Sequence, residues 1–282
     1  MSLSRAYEES ELPPDVRRIF ADVRASFDLP FVPTIFKVAA SRPEYLKLMW
    51  RDLAPVARSR EFQSAATALE EFVYWHALHA GWRFADQQRQ LATQRFSRYD
   101  IDQLGAVVAT FSRALPRMLL FSRLMQRGYS GGQRGRCGGE KQASALSRLM
   151  SLHIPNERDT GLRVWLIYSD IKKTTGARHV PSLFRALAPF PGYLASLWVD
   201  AKKLFQHREF EIAAQDVSQR ALSLLVGLPV RNHRALARNM TAFQWKEIEE
   251  MVDGFARLHP AFAILGAVWY RSFPPSMRML AA

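Results

Sequence analysis

The chain has 282 residues, of which 48% are hydrophobic, and it contains 18 Phe, 8 Tyr and 7 Trp. This composition excludes a largely disordered chain and suffices for one large domain or two smaller ones. Cys137 is the only cysteine, which excludes an intramolecular disulfide, a thiolate metal cluster and a CxxC redox pair. We find neither a signal-like apolar segment nor a run of about 18 uncharged apolar residues, so we expect a cytoplasmic protein without a membrane span.

The formal net charge is +13, which favours an anionic partner. Lysine and arginine are spread along the whole chain, and the densest basic patch is residues 133–141, QRGRCGGEK. Solvated helix faces explain this distribution best. Binding to nucleic acid or to a membrane surface is the alternative, and it depends on charge alone.

Helical periodicity dominates the chain. Apolar residues fall at 16, 19, 20, 23 and 27 after Pro13-Pro14, which suits a helix start. Similar stripes follow at residues 43–56 and 100–111. Before Pro33 and Pro181 the chain should be extended, and it should enter helices at Thr34 and Ser182, residues that suit an N-cap. We predict an all-α fold with about five helices in each half.

The chain contains an internal duplication. Residues 16–62 align without a gap with residues 164–210 at an offset of 148, and 15 of these 47 pairs are identical. Residues 100–116 match residues 246–260 more weakly, at an offset of 144. We therefore expect two homologous helical repeats, at 13–128 and 161–273, packed as an intramolecular pseudo-dimer. Residues 129–160 are expected to form a flexible Gly-rich linker and a connecting segment.

These duplicated motifs resemble those of a known family. VPTIFKVAASRPEYLKLMW (32–50) and VPSLFRALAPFPGYLASLW (180–198), with the FSRALPRMLL block (111–120), are similar to the group I 2-haloacid dehalogenases, also called halocarboxylic acid dehydrogenases. The resemblance runs from about residue 16 to residue 273. It implies an all-α pseudo-dimer around one active site, where an aspartate activates a water that displaces halide and an asparagine helps hold that water.

The positions that the resemblance assigns to catalysis carry other residues here. Leu183 stands at the aspartate position and Leu115 at the asparagine position, whereas Ser182 matches a family serine. A leucine cannot accept a proton, so family-type dehalogenation should be lost or altered. No Asp or Glu lies between Asp170 and Asp200, so a shift of the alignment by one residue does not restore the acid.

Two functions follow from this departure. In the first, the protein keeps a pocket for a small anionic or amphipathic carboxylic acid between its repeats. In the second, it is an active hydrolase of 2-substituted carboxylic acids that uses another base, for which His79 is the candidate. The residues expected to line the pocket are Phe31, Val32, Thr34, Leu115, Met118, Val180, Pro181 and Ser182.

The segment around His79 is the most distinctive unrepeated stretch, EEFVYWHALH (70–79). Its Glu and His spacing resembles half of a di-iron site, which needs a second copy on another helix. The corresponding residues 217–230 contain no histidine and one acid. We therefore expect no metal and no cofactor, and we expect packed histidines instead. A homodimer is a further expectation for the intact protein.

Overall fold

The computed structural model describes residues 5–85, 87–94, 96–135, 137–138, 152, 154–236 and 239–274. In this part of the chain the regular structure is helical, which confirms the predicted all-α class. Each copy contributes six α-helices, one more than expected. The first copy holds α1 (Pro14–Phe27), α2 (Thr34–Ala39), α3 (Pro43–Arg58), α4 (Arg60–His79), α5 (Gln87–Thr93) and α6 (Arg98–Ser130). The second holds α7 (Leu162–Thr175), α8 (Ser182–Arg185), α9 (Pro191–Leu204), α10 (Arg208–Leu224), α11 (His233–Leu236) and α12 (Ala242–Ser272).

The helix ends repeat between the copies. The C-cap residues of α1 and α7 are Asp28 and Gly176. Both have a left-handed backbone conformation, and they lie 148 residues apart. The expected helix starts after Pro33 and Pro181 are present, but the capping role was misassigned. The prolines themselves hold the N-cap position, and Thr34 and Ser182 are the first helical residues. A proline fixes φ, so it defines the start of the helix without a side-chain hydrogen bond.

The chain forms two compact units that do not coincide with the two repeats. Unit 1 comprises Met1–Leu69, Arg117–Met150 and Ser218–His259, and unit 2 comprises Glu70–Pro116, Ser151–Val217 and Pro260–Ala282. Each unit thus combines the N-terminal helices of one copy with the middle segment of the other. Accordingly, α11 packs on α3 in unit 1, and α5 packs on α9 in unit 2. The boundaries of the repeats remain a prediction from the sequence.

The core of unit 1 is a cluster of aromatic rings centred on Phe27 at the end of α1. Its ring lies 6.0 Å from Phe36, 6.1 Å from Trp50, 6.1 Å from Phe62 and 5.1 Å from Phe121, centroid to centroid. All of these side chains are buried. Edge-to-face packing of this kind adds about 0.5–1.5 kcal/mol per pair beyond the burial of apolar area.

The core of unit 2 has a related cluster with different members. Phe184 contacts Trp198 at 5.4 Å and Phe262 at 6.2 Å, and Phe205 contacts Trp198 at 6.2 Å and Phe210 at 5.2 Å. Phe184, Trp198 and Phe210 are the counterparts of Phe36, Trp50 and Phe62 at the offset of 148. The duplicated aromatic residues therefore form part of the core in both units.

The first part of the Gly-rich segment is docked on unit 1 rather than flexible, which corrects our expectation for these residues. Gln133 and Val230 exchange backbone hydrogen bonds at 2.6 and 2.9 Å. Gly135 lies so close to the carbonyl of Gly227 that a Cβ would fall 1.8 Å from its oxygen. Glycine is thus required here for a close backbone approach. Residues 136 and 139–151 lie outside the described part of the chain.

Two helices are long and apolar enough, by length and composition, to be considered as membrane spans. They are α6 and α12, and 72% and 61% of their most apolar windows are buried inside the protein. Core helices of soluble proteins pass the same test, so these two helices are weak evidence for a membrane span.

Candidate functional site

The two leucines at the positions that the family resemblance assigns to catalysis, Leu183 and Leu115, are both buried in unit 2. Leu183 lies on α8 and is 1% exposed, and Leu115 lies on α6 and is 7% exposed. The side chain of Leu115 packs against Gly266 of α12, where a Cβ would lie 2.9 Å from its Cδ1 atom. Neither side chain can donate or accept a proton, so these two positions supply only apolar surface.

The other predicted lining residues are divided between the units. Unit 2 contains Val180, which is buried, and Pro181 and Ser182, which are half-buried. Unit 1 contains four buried residues from this set: Phe31, Val32, Thr34 and Met118. Their role in binding remains a prediction.

The carboxylates that lie nearest to Leu183 in sequence have structural partners. Asp170 accepts hydrogen bonds from Trp198 Nε1 and Lys202 Nζ, each at 2.8 Å. These two bonds, that from Lys202 first, lower the pKa of Asp170. Asp200 accepts the backbone N–H of Ala85 at 2.9 Å. Asp170 connects α7 to α9, and Asp200 connects α9 to the loop before α5, so both acids are engaged in contacts within unit 2.

His79, the substitute base proposed from the sequence, lies at the exposed end of α4. Its Nδ1 lies 2.8 Å from the carbonyl oxygen of Trp75, so this nitrogen donates, which leaves Nε2 as an acceptor. His76 stacks on Phe72 at 5.5 Å, and its Nε2 lies 3.8 Å from Asp216. An exposed histidine is accessible to substrate but lacks the enclosure that strengthens general-base catalysis.

No group of three or more His, Cys, Asp or Glu side chains is arranged to hold a metal ion among the described residues. This finding covers His76 and His79.

His259 is a buried residue that can exchange hydrogen bonds or protons, and our sequence interpretation missed it. It is the counterpart of Leu115 at the offset of 144, in the aligned pair RALP (113–116) and RLHP (257–260). The side chain is buried in unit 1, and its Nδ1 lies 3.1 Å from Ser122 Oγ. The Ser122 hydroxyl donates to the carbonyl of Leu119, so it accepts from His259 Nδ1–H, and Nε2 carries the lone pair. Burial, with Arg123 nearby, lowers the pKa of His259 to about 3, so the ring is neutral.

The signal for His259 was present in the sequence. The duplication pairs a leucine with a histidine directly before the proline that interrupts each long helix, Pro116 in α6 and Pro260 in α12. A polar residue at a position where the other copy is apolar is a departure from the shared core. Comparing the two copies position by position would have singled it out.

The fold agrees with comparisons to known proteins. Three solved structures of D-2-haloacid dehalogenase, two of them complexes with D-2-CPA and with L-LA, superpose with TM-scores of 0.85 to 0.87. Each is 21% identical and covers 96% of both chains. At this identity the likeness establishes a class of fold, the all-α fold of the 2-haloacid dehalogenases.

A family assignment follows from the sequence comparison. The model of the family described as "Halocarboxylic acid dehydrogenase DehI" matches residues 30–183 and 178–278, so the chain belongs to this family. An (R)-2-haloacid dehalogenase of Pseudomonas putida is 23% identical over 264 residues, which is 90% of this chain and 87% of that protein. An (R)-2-haloacid dehalogenase of Rhizobium sp. (strain NHG3) is 22% identical over 229 residues, 76% of this chain and 84% of that protein.

Proposed function

We propose that this chain is a member of the 2-haloacid dehalogenase family that binds small carboxylic acids and has lost or altered hydrolytic dehalogenation. The observation that carries the proposal is the pair of buried leucines, Leu183 and Leu115, at the positions where the family resemblance expects an aspartate and an asparagine. Hydrolysis at the α-carbon needs a group that removes a proton from the attacking water. The natural ligand is a small anionic or amphipathic carboxylic acid.

The basic character of the chain supports an acidic ligand. With a net charge of +13, the protein attracts small anions over a range set by the ionic strength. Leu115, Leu183 and Val180 would offer the alkyl part of such an acid an apolar contact in unit 2. Binding without turnover needs only this apolar surface and a partner for the carboxylate.

The loss of the acid could not be compensated by the nearest carboxylates. Asp170 and Asp200 lie 13 residues before and 17 residues after Leu183 in the chain; Asp170 is hydrogen-bonded to α9, and Asp200 to the loop before α5. Moving either one would break a contact that holds unit 2 together. The pKa of His259 is lowered to about 3, which makes the imidazole a weak base, so its Nε2 is better suited to accept a hydrogen bond from a water or a carboxylic acid than to abstract a proton.

Chloride release tests the proposal directly. Purified protein is incubated with each enantiomer of 2-chloropropionate, beside the double variant Leu183→Asp/Leu115→Asn. We expect no release above background from the wild type, and release from the double variant at a rate at least 100-fold above it, since a positioned base contributes about 10²–10⁴-fold. The variant Leu183→Asn/Leu115→Asn is the matched control, because it has polar side chains of similar size but no base.

The outcomes separate the two functions that the sequence leaves open. Chloride release by the wild type would overturn the proposed loss of activity and establish an active hydrolase. In that case the variants His79→Gln and His259→Gln identify the base, because only the residue that removes the proton lowers kcat by 100-fold or more. Release by the double variant alone would establish that the site persists and that the two leucines abolish its chemistry.

A further inference from the structure

The end of α7 and the start of α8 in unit 2 are tied together by the segment 155–157. The carboxylate of Glu157 accepts the backbone N–H of Val180 at 3.0 Å and forms an ion pair with Lys172. Arg185 Nε donates to the carbonyl of Pro155 at 2.9 Å. These three contacts hold the last turns of α7, the residues before α8 and Arg185 against segment 155–157. We call this group of contacts the frame.

Among the described residues, two buried polar atoms at this place have no hydrogen-bond partner. One is the hydroxyl of Tyr168, which is 1% exposed and lies one helical turn before Lys172. The other is Nε2 of His179, which directly precedes Val180. Buried polar groups are nearly always paired, because an unpaired group loses its hydration and gains nothing in return. Two such atoms beside the same group of contacts indicate a bound molecule that is not part of the chain.

The first copy shows that the fold does not require these polar groups. The counterparts of Tyr168 and His179 at the offset of 148 are Phe20 and Phe31, and both are buried. The surrounding frame is retained, because Glu9 and Arg24, the counterparts of Glu157 and Lys172, also form an ion pair. The second copy has therefore acquired polar atoms inside an otherwise shared frame.

The charges around this place identify the chemistry of the partner. Arg185 is 3% exposed, and it acts electrostatically on both Tyr168 and His179. Arg178 and Lys172 add positive charge, and Glu157 adds a negative charge. Burial lowers the pKa of His179, so the imidazole is neutral and can present Nε2–H. Two donors in a positive field suit a small anion.

We propose that Tyr168, His179 and Arg185 form a binding site for a small carboxylate, which accepts hydrogen bonds from the Tyr168 hydroxyl and from His179 Nε2–H. The charge of Arg185 balances that of the carboxylate.

This site is distinct from the leucine site of the proposed function. Successive residues of a helix are rotated by about 100°, so Arg185 and Leu183 lie about 200° apart around α8. The carboxylate site can therefore be present whether or not the leucine site binds an acid, and each can be tested without the other.

Titration with sodium acetate tests the site, in matched ionic strength with sodium chloride as the reference. In wild-type protein labelled with 15N-histidine, the side-chain nitrogen signals of His179 should shift in a saturable way. In the variant Tyr168→Phe, which restores the residue of the first copy, the same His179 signals should report acetate binding that is at least tenfold weaker. These signals report this site alone, whereas a change in melting temperature would also reflect acetate bound at the leucine site.

The variant Tyr45→Phe is the matched control, because it removes another buried, unpartnered tyrosine hydroxyl at a place remote in sequence from this frame. It should retain the acetate response. The absence of a saturable His179 shift in the wild type would overturn the proposal and assign the two atoms to ordered water. A His179 response in Tyr168→Phe that saturates at the wild-type acetate concentration would also overturn it.

Discussion

The duplicated tryptophans, Trp50 in unit 1 and Trp198 in unit 2, have similar hydrogen bonds but different neighbouring side chains. In unit 1 the indole of Trp50 donates to Asp22 at 2.8 Å, and in unit 2 the indole of Trp198 donates to Asp170 at 2.8 Å. Asp22 also forms an ion pair with Arg58 on α3, and Asp170 forms one with Lys202 on α9. These two cations do not occupy corresponding positions in the two copies. The hydrogen bond from tryptophan to aspartate is present in both copies, whereas the position of the cation that pairs with the aspartate differs.

The aromatic ring beside each tryptophan differs more strongly. In unit 1 this ring is Phe27, 6.1 Å from Trp50, and in unit 2 it is Phe205, 6.2 Å from Trp198. These two are not counterparts, because the offset of 148 pairs Phe27 with Thr175 and Phe205 with Ala57. The same space is filled from the end of α1 in one unit and from the end of α9 in the other. Conserved core volume therefore does not imply conserved core positions.

The largest effect is expected from exchanging Phe27 for its counterpart residue. Phe27→Thr removes the ring that contacts Trp50 and Phe62, and it should lower the free energy of unfolding by about 3–5 kcal/mol. Adding Ala57→Phe should restore about 1–3 kcal/mol, since a ring at position 57 would supply the contacts that Phe205 makes in unit 2. Urea denaturation of the wild type, both single variants and the double variant measures this coupling.

Simple additivity in that cycle would contradict the compensation. The single variant Ala57→Phe is the internal control, because it inserts a ring where Phe27 already fills the space. It should destabilise the protein by about 1–3 kcal/mol through overpacking.

The second prediction concerns pH and the pair Leu115 and His259. The pKa of His259 is lowered to about 3 in the folded protein by burial and by Arg123, whereas an unfolded histidine titrates near 6.5. Between these values the unfolded state binds more protons. The stability contributed by neutral His259 is therefore complete above about pH 6.5, and it is lost as the pH falls toward 3.

The variant His259→Leu, which restores the residue of the first copy, removes this dependence. Between pH 6 and pH 4, the unfolding free energy of the wild type should fall more steeply than that of the variant, by up to about 1.4 kcal/mol per pH unit. Urea unfolding at several pH values measures both slopes. Equal slopes would show that folding does not lower the pKa of His259.

The third prediction compares two buried tyrosine hydroxyls. In unit 2 the hydroxyl of Tyr193 donates to Gln87 at 2.5 Å and accepts from Trp269 Nε1 at 2.8 Å. In unit 1 the hydroxyl of its counterpart, Tyr45, has no hydrogen-bond partner in the described part of the chain. Tyr193→Phe should cost about 1–3 kcal/mol, because it leaves two buried groups unpaired, whereas Tyr45→Phe should be neutral or stabilising. Thermal unfolding of both variants distinguishes them, and equal costs would contradict the comparison.

The smallest effect is expected from the duplicated ion pairs. Glu9→Gln weakens one partly exposed pair with Arg24 and should cost about 0.5 kcal/mol. Glu157→Gln should cost about 1–2 kcal/mol, since Glu157 also accepts the backbone N–H of Val180. Burial opposes ionisation of Glu157, but the bonds from Lys172 and Val180 outweigh it and lower its pKa, so this stability is lost on acidification. Urea midpoints at pH 7 rank the two variants, and a larger cost at Glu9 would contradict the ranking.

The sequence predicted the helical class and the duplication because both depend on local periodicity and on direct residue matches. The helix starts after Pro33 and Pro181 were also predictable, since proline restricts the backbone on both sides. The docking of residues 132–135 was not predicted, because composition does not reveal the backbone contact of Gln133 with Val230.

The candidate site was only partly accessible from the sequence. Alignment of the motifs located Leu115 and Leu183, and the structure shows that both are buried in one unit. His259 and the pair Tyr168 and His179 were missed, although comparing the two copies would have shown a polar residue opposite an apolar one at each position.

By itself, the sequence predicted an all-α chain with two related halves, with leucines at the two positions that the family resemblance assigns to an aspartate and an asparagine. These properties are local or follow from matching one residue with another. Only the tertiary structure decided that each compact unit takes its middle segment from the other copy, and which buried polar atoms lack a partner among the described residues. Both depend on contacts between residues that are distant in the chain, and side-chain packing sets those contacts rather than backbone periodicity.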